Sequence, residues 1–426
     1  MKSQKIVSCI LYFVPRFCTT YKIQCTILLL ATGYLLPVTC FSQTEETKYP
    51  FINYAANKIV YGKDSSSMLS FYKKLGRFLN GKEKELIVVQ IGGSHVQGGM
   101  WGDKLTTDFQ NLRAPKGGGF FAFPFKIIKT NSPPYFTSFS NGVWKGCRTA
   151  LVKNACPNVG MAQVTATTND SANYFGMKVL ENPHHKNFNT IRVYHNFNKS
   201  FSFTIKGNLK FKRQDFESKG YSQFILDAPI DSIAFELIRK NILQRDFVLY
   251  GFDVRNTDEA GVYYAALGAN GASTQSVLRC QLFAQQLKTL QPDLVILSLG
   301  VNDVQGKTFS SEDYITHYDS IVSLIRQASP TCAILFNTIT DNYVRKKTPN
   351  KKSATVEECI YKLTEKHNAA LWDIFAVMGG YKSIYKWQLA GLAKKDKVHF
   401  TAKGYHIFAD MMFEAIMKSY YTNFKG

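Results

Sequence analysis

The sequence predicts an α/β protein: a parallel sheet covered by helices on both faces, interrupted by an antiparallel β-sandwich insertion. Three observations carry this. Short apolar runs such as LIVVQI (86–91) and DLVILSL (293–299) alternate with longer segments of helical period, as buried parallel strands joined by helices do. Between about 114 and 256 the rhythm stops, and short β-type segments separated by turn residues replace it. The chain has 426 residues, 45% hydrophobic and 19% charged, which exceeds one average domain and is too apolar for a disordered one.

Residues 1–42 read as a leader. Lys2, Lys5, Arg16 and Lys22 stand there without an acid, Cys25–Val38 is an apolar run, and Cys40-Phe41-Ser42 places small residues at −3 and −1 of a cut before Gln43. Cleavage is expected; an uncleaved anchor is the alternative raised by the long basic stretch. No later stretch approaches the roughly 20 apolar residues of a membrane span.

Ser66–Leu79 has helical spacing, Leu86–Ile91 is a buried strand, Gly92–His95 a turn, and about Gly102–Leu112 a helix. Gly117–Gly119 and Pro133-Pro134 mark loops. Thr190–Phe197, Ser200–Lys206, Ser232–Arg239 and Asp246–Val254 then alternate as the strands of a β-sandwich module would. The α/β rhythm resumes with a strand at Gly261–Leu267, a helix at Thr274–Leu290, a strand at Asp293–Leu299 and a helix at Ser311–Gln327. It closes with a strand at Thr331–Thr338, a helix at Ala354–Ala369, a strand at Ala370–Ile374 and a helix at Thr401–Tyr420. This divides the chain into a leader (1–42), an α/β domain in two parts (50–115 and 257–426) and an inserted β module (116–256).

The formal net charge is +21, and the surplus persists without the four leader cations. It favours acidic partners such as anionic glycans, cell-wall polymers or membrane surfaces. Nucleic acid is disfavoured, because the basic residues are scattered and match no binding motif. Five cysteines lie beyond the leader; Cys147 and Cys156 are close enough to bridge in an oxidising compartment. No CxxC or Cys/His pattern has zinc spacing, so neither metal nor cofactor is expected.

Four blocks carry the chemistry, three of them at the carboxyl ends of predicted strands, where doubly wound sheets bind ligands. Gly92-Gly93-Ser94 lets a serine hydroxyl stand exposed in a tight strand-to-helix turn. Gly268–Ser273 contains Gly271, whose amide can donate to an oxyanion; Asn302 in Gly300-Val301-Asn302-Asp303 offers a carboxamide donor that carries no charge. Asp396-Lys397-Val398-His399 spaces a carboxylate and an imidazole by three, so the acid can hold one ring nitrogen while the other faces a serine. Each block alone is an ordinary turn or cap.

Their order resembles the four blocks of the SGNH (GDSL-like) hydrolases. That resemblance implies a three-layer, flavodoxin-like α/β/α domain and an ester hydrolase. It makes Ser94 the nucleophile, His399 the base and then acid, and Asp396 its orienting partner. The amides of Ser94 and Gly271 and the carboxamide of Asn302 form the oxyanion hole. The family's first block usually reads Gly-Asp-Ser, and Gly93 stands here in place of that aspartate. His95 lies outside the family's base position, and its side chain should diverge from that of Ser94.

Ser-His-x-Gln at 94–97, the inserted β segment and the run Leu371–Gly380 narrow the resemblance to a bacterial peptidoglycan O-acetylesterase branch, as do Trp387, Gly391–Ala393 and Gly404-Tyr405. In that branch a carbohydrate-binding-like module interrupts the catalytic domain. The expectation is a secreted or periplasmic serine esterase that removes O-acetyl groups from peptidoglycan. Esterases of other acylated glycans such as xylan, and a catalytically weak glycan-binding surface protein, are the alternatives. A fatty-acyl lipase is disfavoured for want of a long apolar lid. Sugar, acylated position and oligomeric state are left open.

Overall fold

The structure is a computed structural model that describes residues 49–424 except 114–116, 152–155, 171, 181–186, 244–245 and 307. The expected leader lies outside the described residues, and among them no helix is long and apolar enough to cross a membrane. The first half of the α/β part comprises β1 (Ile59–Tyr61), α1 (Leu69–Leu79), β2 (Glu85–Gly92), α2 (Ser94–Gln97) and α3 (Met100–Asn111). In α1 the residues Phe71, Tyr72, Leu75 and Phe78 recur every three or four positions and are buried, the stripe a core-facing helix requires. β2 is buried through seven of its eight residues, as a central parallel strand must be.

The segment after α3 is richer in strands than its sequence showed. β3 (Gly117–Ala122), β4 (Phe136–Ser140), β5 (Lys145–Arg148), β6 (Val164–Thr168), β7 (Ala172–Val179), β8 (Phe188–His195) and β9 (Phe201–Ile205) are followed by β10 (Phe211–Phe216), β11 (Tyr221–Ile230), β12 (Ser232–Arg239) and β13 (Phe247–Asn256). Gly117–Gly119, expected as a loop, is strand. Its glycines admit neighbouring backbone so closely that a Cβ at Gly119 would fall 2.0 Å from the Val254 carbonyl oxygen.

The second half runs through β14 (Gly261–Gly268), α4 (Thr274–Leu278), α5 (Phe283–Leu290), β15 (Leu294–Ser298), α6 (Val301–Val304), α7 (Ser311–Ala328) and β16 (Ala333–Asn337). After a short pair, β17 (Tyr343–Val344) and β18 (Thr348–Pro349), come α8 (Lys352–Lys366), β19 (Ala370–Trp372), α9 (Ile374–Met378), α10 (Ser383–Leu389) and α11 (Ala402–Phe424). Two expected elements are shorter than their patterns. The helix expected over 274–290 breaks between α4 and α5, where the Leu282 amide donates to the Val159 carbonyl and Gln281 Oε1 accepts from the Val159 amide. The last strand stops at Trp372 because Asp373 caps α9, accepting from the Ala376 amide.

The parallel strands lie in the order β14-β2-β15-β16-β19, with β1 antiparallel at the far edge. Counting along the chain this is 2-1-3-4-5, the flavodoxin-like winding. Alternate side chains of β2 enter two different cores: Ile87, Val89 and Ile91 join one with Phe283, Leu287, Ile321, Ile325, Ile360 and Leu363. Leu86 and Val88 join the other with Phe71, Leu75, Phe109, Phe408 and Met412. Both faces of the sheet are therefore covered by helices.

The sheet is mixed, where an all-parallel one was expected. β3 pairs parallel to β14 on one side and antiparallel to β13 on the other, and β8, β11 and β10 follow antiparallel. One continuous sheet thus runs from the parallel centre into an antiparallel wing. A separate sheet, β4-β7-β12-β9, meets that wing through aromatic rings: Phe235 with Phe224 at 5.0 Å, Phe175 with Phe247 at 5.7 Å and Phe203 with Phe224 at 6.0 Å between centroids. These rings are buried and form the core between the two sheets. The wing is fixed to the centre by buried charge. Asp253, fully buried, pairs with Arg192 on β8 and with Arg255, and Arg255 reaches Glu85 at the start of β2 at 2.7 Å. Cys147 and Cys156 form a disulfide, and Cys280, Cys332 and Cys359 are free and buried.

Candidate active site

Every expected site residue lies at the carboxyl edge of the parallel strands or in the loop before α11. Ser94 is the first residue of α2, two positions after β2 ends. Gly271 lies in the turn after β14, Asn302 in the short helix α6 that follows β15, and Asp396 and His399 in the loop that leads into α11.

Four of these five side chains or amides surround one cleft of about 380 Å³, lined among others by Ser94, Gly271, Asn302 and His399. Ser94 Oγ is 2.8 Å from His399 Nε2, and His399 Nδ1 is 2.9 Å from Asp396 Oδ2. The second carboxylate oxygen of Asp396 accepts from the amides of Val398 and His399 at 3.0 and 2.9 Å. Burial works to raise the Asp396 pKa, but the His399 amide, the His399 ring and the Val398 amide outweigh it and hold the carboxyl below its ordinary range. The carboxylate is thus ionised and fixed, and with His399 Nδ1 as donor, Nε2 is left as acceptor for the serine proton.

The donor side is built by two loops clamped to each other. Asn302 Nδ2 donates to the Ala272 carbonyl at 2.8 Å, and Asp303 accepts from the Thr274 hydroxyl and amide at 2.6 and 3.1 Å. Burial raises the Asp303 pKa, opposed by those bonds from Thr274. Gly271 takes φ +81°, the left-handed region in which glycine pays no steric penalty, and its residue faces the cleft. Gly93 has a different reason. A Cβ there would lie 3.0 Å from Asn302 Nδ2 and 3.2 Å from the Ala272 oxygen, so the missing side chain lets α6 bring Asn302 close against the Ser94 turn.

His95 points away from the serine. It is buried against His399, 5.2 Å between ring centroids, and its Nδ1 is 2.9 Å from the Tyr405 hydroxyl. Burial, and then the His399 ring, push its pKa down to about 3, so it stays a neutral imidazole beside the proposed base.

Sequence reasoning missed several groups. Asn131 and Ser132, from the segment between α3 and β4, form one wall of the cleft, and Lys394 and Tyr405 line it as well. Gln163, fully buried just before β6, donates to the carbonyls of Gly92 and Leu267 at 3.3 and 3.2 Å, tying the ends of β2 and β14. Nothing local marked Gln163, whose partners lie 71 and 104 residues away. Gln97 did carry a signal, as the last residue of Ser-His-x-Gln.

Residues 241–407 match the model of the GDSL-like Lipase/Acylhydrolase family. That span contains Gly271, Asn302, Asp396 and His399, while Ser94 precedes it. No curated protein matches the chain. Among solved structures, one described as "Peptidoglycan O-acetylesterase in action" superposes with TM-score 0.69 at 20% identity, covering 85% of this chain and 99% of that one. A lipase/acylhydrolase from Enterococcus faecalis covers 38% of this chain and 77% of its own at 16% identity, TM-score 0.31. A GDSL-like lipase from Bacteroides thetaiotaomicron VPI-5482 covers 37% and 76% at 18% identity, also with TM-score 0.31. Over residues 241–407 the chain is similar to the GDSL-like lipases/acylhydrolases, and that match supports an ester hydrolase.

Proposed function

We propose that the chain is an exported O-acetylesterase that removes acetyl groups from a cell-wall glycan, with peptidoglycan the first substrate to test. The observation that carries this reading is the bonded line Ser94–His399–Asp396 opening on a cleft shared with Gly271 and Asn302. The likeness in fold to a peptidoglycan O-acetylesterase supports the choice of substrate class. The basic surplus of +21 fits an acidic polymer, and a disulfide between Cys147 and Cys156 fits an oxidising compartment outside the cytoplasm. The segment 116–256 acts in this reading as an inserted β-sandwich of carbohydrate-binding-like kind. Its separate four-stranded sheet packs through aromatic rings against the antiparallel wing of the main sheet, and its Asn131 and Ser132 line the cleft.

The chemistry is acyl transfer in two halves. His399 Nε2 takes the Ser94 proton as Oγ bonds to the acetyl carbonyl carbon, and the carbonyl electron pair moves onto oxygen, held by the Ser94 and Gly271 amides and the Asn302 carboxamide. The intermediate collapses, the bond to the sugar oxygen breaks, and His399 returns its proton to that oxygen. Water then repeats the sequence on the acetyl-serine, releasing acetate and restoring Ser94. Asp396 keeps the imidazole in place and stabilises its positive charge in both halves.

Acetate release from O-acetylated peptidoglycan and from acetylated xylan, beside a Ser94→Ala control, tests this. Release from peptidoglycan that vanishes in the control is the expected result. Release from xylan alone moves the substrate to other glycans, and silence on both, and on a small activated acetyl ester, refutes the esterase and favours a binding protein.

A further inference from the structure

The Ser-His-x-Gln motif places at its end a side chain that the acyl-transfer mechanism does not use. Gln97 is the last residue of α2, three positions after the nucleophile, and is 3% exposed. Both ends of its carboxamide are committed. Oε1 accepts from the Asn270 amide at 2.5 Å, and Nε2 donates to the Asn131 carbonyl at 2.8 Å. Asn270 belongs to the turn that presents Gly271. That turn is closed internally by the Ala272 amide donating to the Ala269 carbonyl at 3.0 Å, and gripped on its far side by Asn302 through the Ala272 carbonyl at 2.8 Å. Asn131 belongs to the inserted segment and, with Ser132, walls the same cleft. A buried carboxamide bonded at both ends fixes a register that a looser contact would leave free, since its removal takes one hydrogen bond from the Asn270 amide and one from the Asn131 carbonyl.

We propose that Gln97 is a positioning residue that couples the inserted segment to the oxyanion turn. Through it, the wall on which the glycan part of the substrate lies sets the orientation of the Asn270–Gly271 peptide. The role rests on the esterase reading above and deepens it: the insertion contributes to the alignment of the donors as well as to polymer binding. Misplacing a catalytic group by about an ångström costs on the order of a hundredfold in rate, and losing one oxyanion donor a hundred- to thousandfold. Gln97→Met, which keeps the length and removes both bonds while leaving every donor in the chain, should lie at or below the lower end of that range.

The test uses the full chain, with 4-nitrophenyl acetate as a small substrate and O-acetylated peptidoglycan as the polymer. Active sites are counted with a fluorophosphonate that labels the nucleophilic serine. Gln97→Met is expected to lower kcat on the small ester about ten- to a hundredfold per labelled site, with KM within about threefold and the pH profile of kcat unmoved, since the base is untouched. Gln97→Glu keeps an acceptor for the Asn270 amide and loses the donor to Asn131. It should recover much of the rate on the small ester but not on the polymer. A merely structural role would reduce the labelled fraction and leave kcat per site unchanged. A kcat for Gln97→Met within twofold of wild type, or equal losses for Gln97→Glu on both substrates, overturns the coupling. If Gln97→Met does not fold, the small-ester to polymer ratio of Gln97→Glu decides alone. Wild-type protein silent on both esters overturns the esterase reading and this role with it, whereas an active wild type beside an unaffected variant removes only the role of Gln97.

Discussion

Restoring the side chain that the GDSL pattern leads one to expect at position 93 should harm this enzyme. Gly93 has a negative φ of −99°, so it is not held to glycine by the left-handed backbone that Gly271 adopts. The obstacle is spatial. A methyl group at Gly93 would sit 3.0 Å from Asn302 Nδ2 and 3.2 Å from the Ala272 oxygen, the two atoms that bond each other at 2.8 Å. Ordinary carbon–heteroatom contacts begin a few tenths of an ångström farther out, so the Asn302 carboxamide and the Ala272 carbonyl must retreat together. Complete loss of one oxyanion donor costs on the order of a hundred- to thousandfold in kcat, about 2.7–4 kcal/mol. A retreat of a few tenths keeps part of the donor, and Gly93→Ala is expected to lose roughly three- to thirtyfold, about 0.7–2 kcal/mol. Gly93→Asp should lose more, because its carboxylate would also oppose the negative charge forming on the carbonyl oxygen. The assay is kcat and KM on 4-nitrophenyl acetate, normalised to serine sites labelled by a fluorophosphonate, with KM expected within about twofold. A Gly93→Ala enzyme within twofold of wild type, or a Gly93→Asp enzyme faster than it, refutes the reasoning: the Asn302 loop would then yield at no cost.

Three further outcomes follow from the same geometry. Asp396→Ala should cut kcat by on the order of ten thousandfold, because Nδ1 of His399 loses its 2.9 Å partner and the ring its tautomer; a loss under tenfold would assign the orienting role to another group. His95, with its pKa pushed down to about 3 by burial, binds its proton more weakly in the folded than in the unfolded chain. The unfolded state therefore takes up more protons between about pH 6.5 and 3, and stability falls as pH drops through that window, by at most about 1.4 kcal/mol per unit for this group. The fall in melting temperature from pH 7 to pH 5 should accordingly be smaller in His95→Gln than in wild type, and equal falls would refute that account. Removing the bridge by Cys147→Ser with Cys156→Ser opens a loop with a sequence separation of 9, which in the loop-entropy view costs about 2–3 kcal/mol by denaturant titration; an unchanged midpoint would show the bridge to be thermodynamically idle.

What the sequence revealed, and what it hid, divides along the range of the interactions. The parallel strands were legible because burial on both faces demands apolar residues at nearly every position, and Leu86–Ile91, apolar apart from the hydrogen-bonded Gln90, serves both cores at once. The serine, glycine, asparagine and histidine blocks were legible because each sits at a fixed place in that rhythm and only their order is distinctive. The wing was obscured by residues that contradict local propensity. Gly117–Gly119 reads as a breaker, yet forms a strand because only glycine lets the backbones of β13 and β14 approach on either side. Strand β10, mostly exposed, lies at the outer edge, where β11 is its one sheet partner and Arg213 reaches over to Phe203 on β9, so its run Phe211–Phe216 shows little core signal.

Gln163 and Asn131, which no local pattern marked, are among the residues that join the segment 116–256 to the proposed site. Gln163 takes a left-handed φ of +62° and bonds the carbonyls at the ends of β2 and β14, the two strands that launch the Ser94 and Gly271 turns. Gln97 and Asn131 repeat the connection a few residues further out. Two buried amides therefore span from the insertion to the edge where the proposed nucleophile and donors stand, and a buried amide left without partners costs about 1–3 kcal/mol. Deleting the insertion would remove its aromatic core and also strip Gln97 of a partner and both strand ends of theirs. The family match begins at residue 241, after Ser94, yet strand β2, which ends two positions before Ser94, is threaded in register between β14 and β15, and the chain leaves and re-enters that sheet through β3 and β13, which stay paired with it.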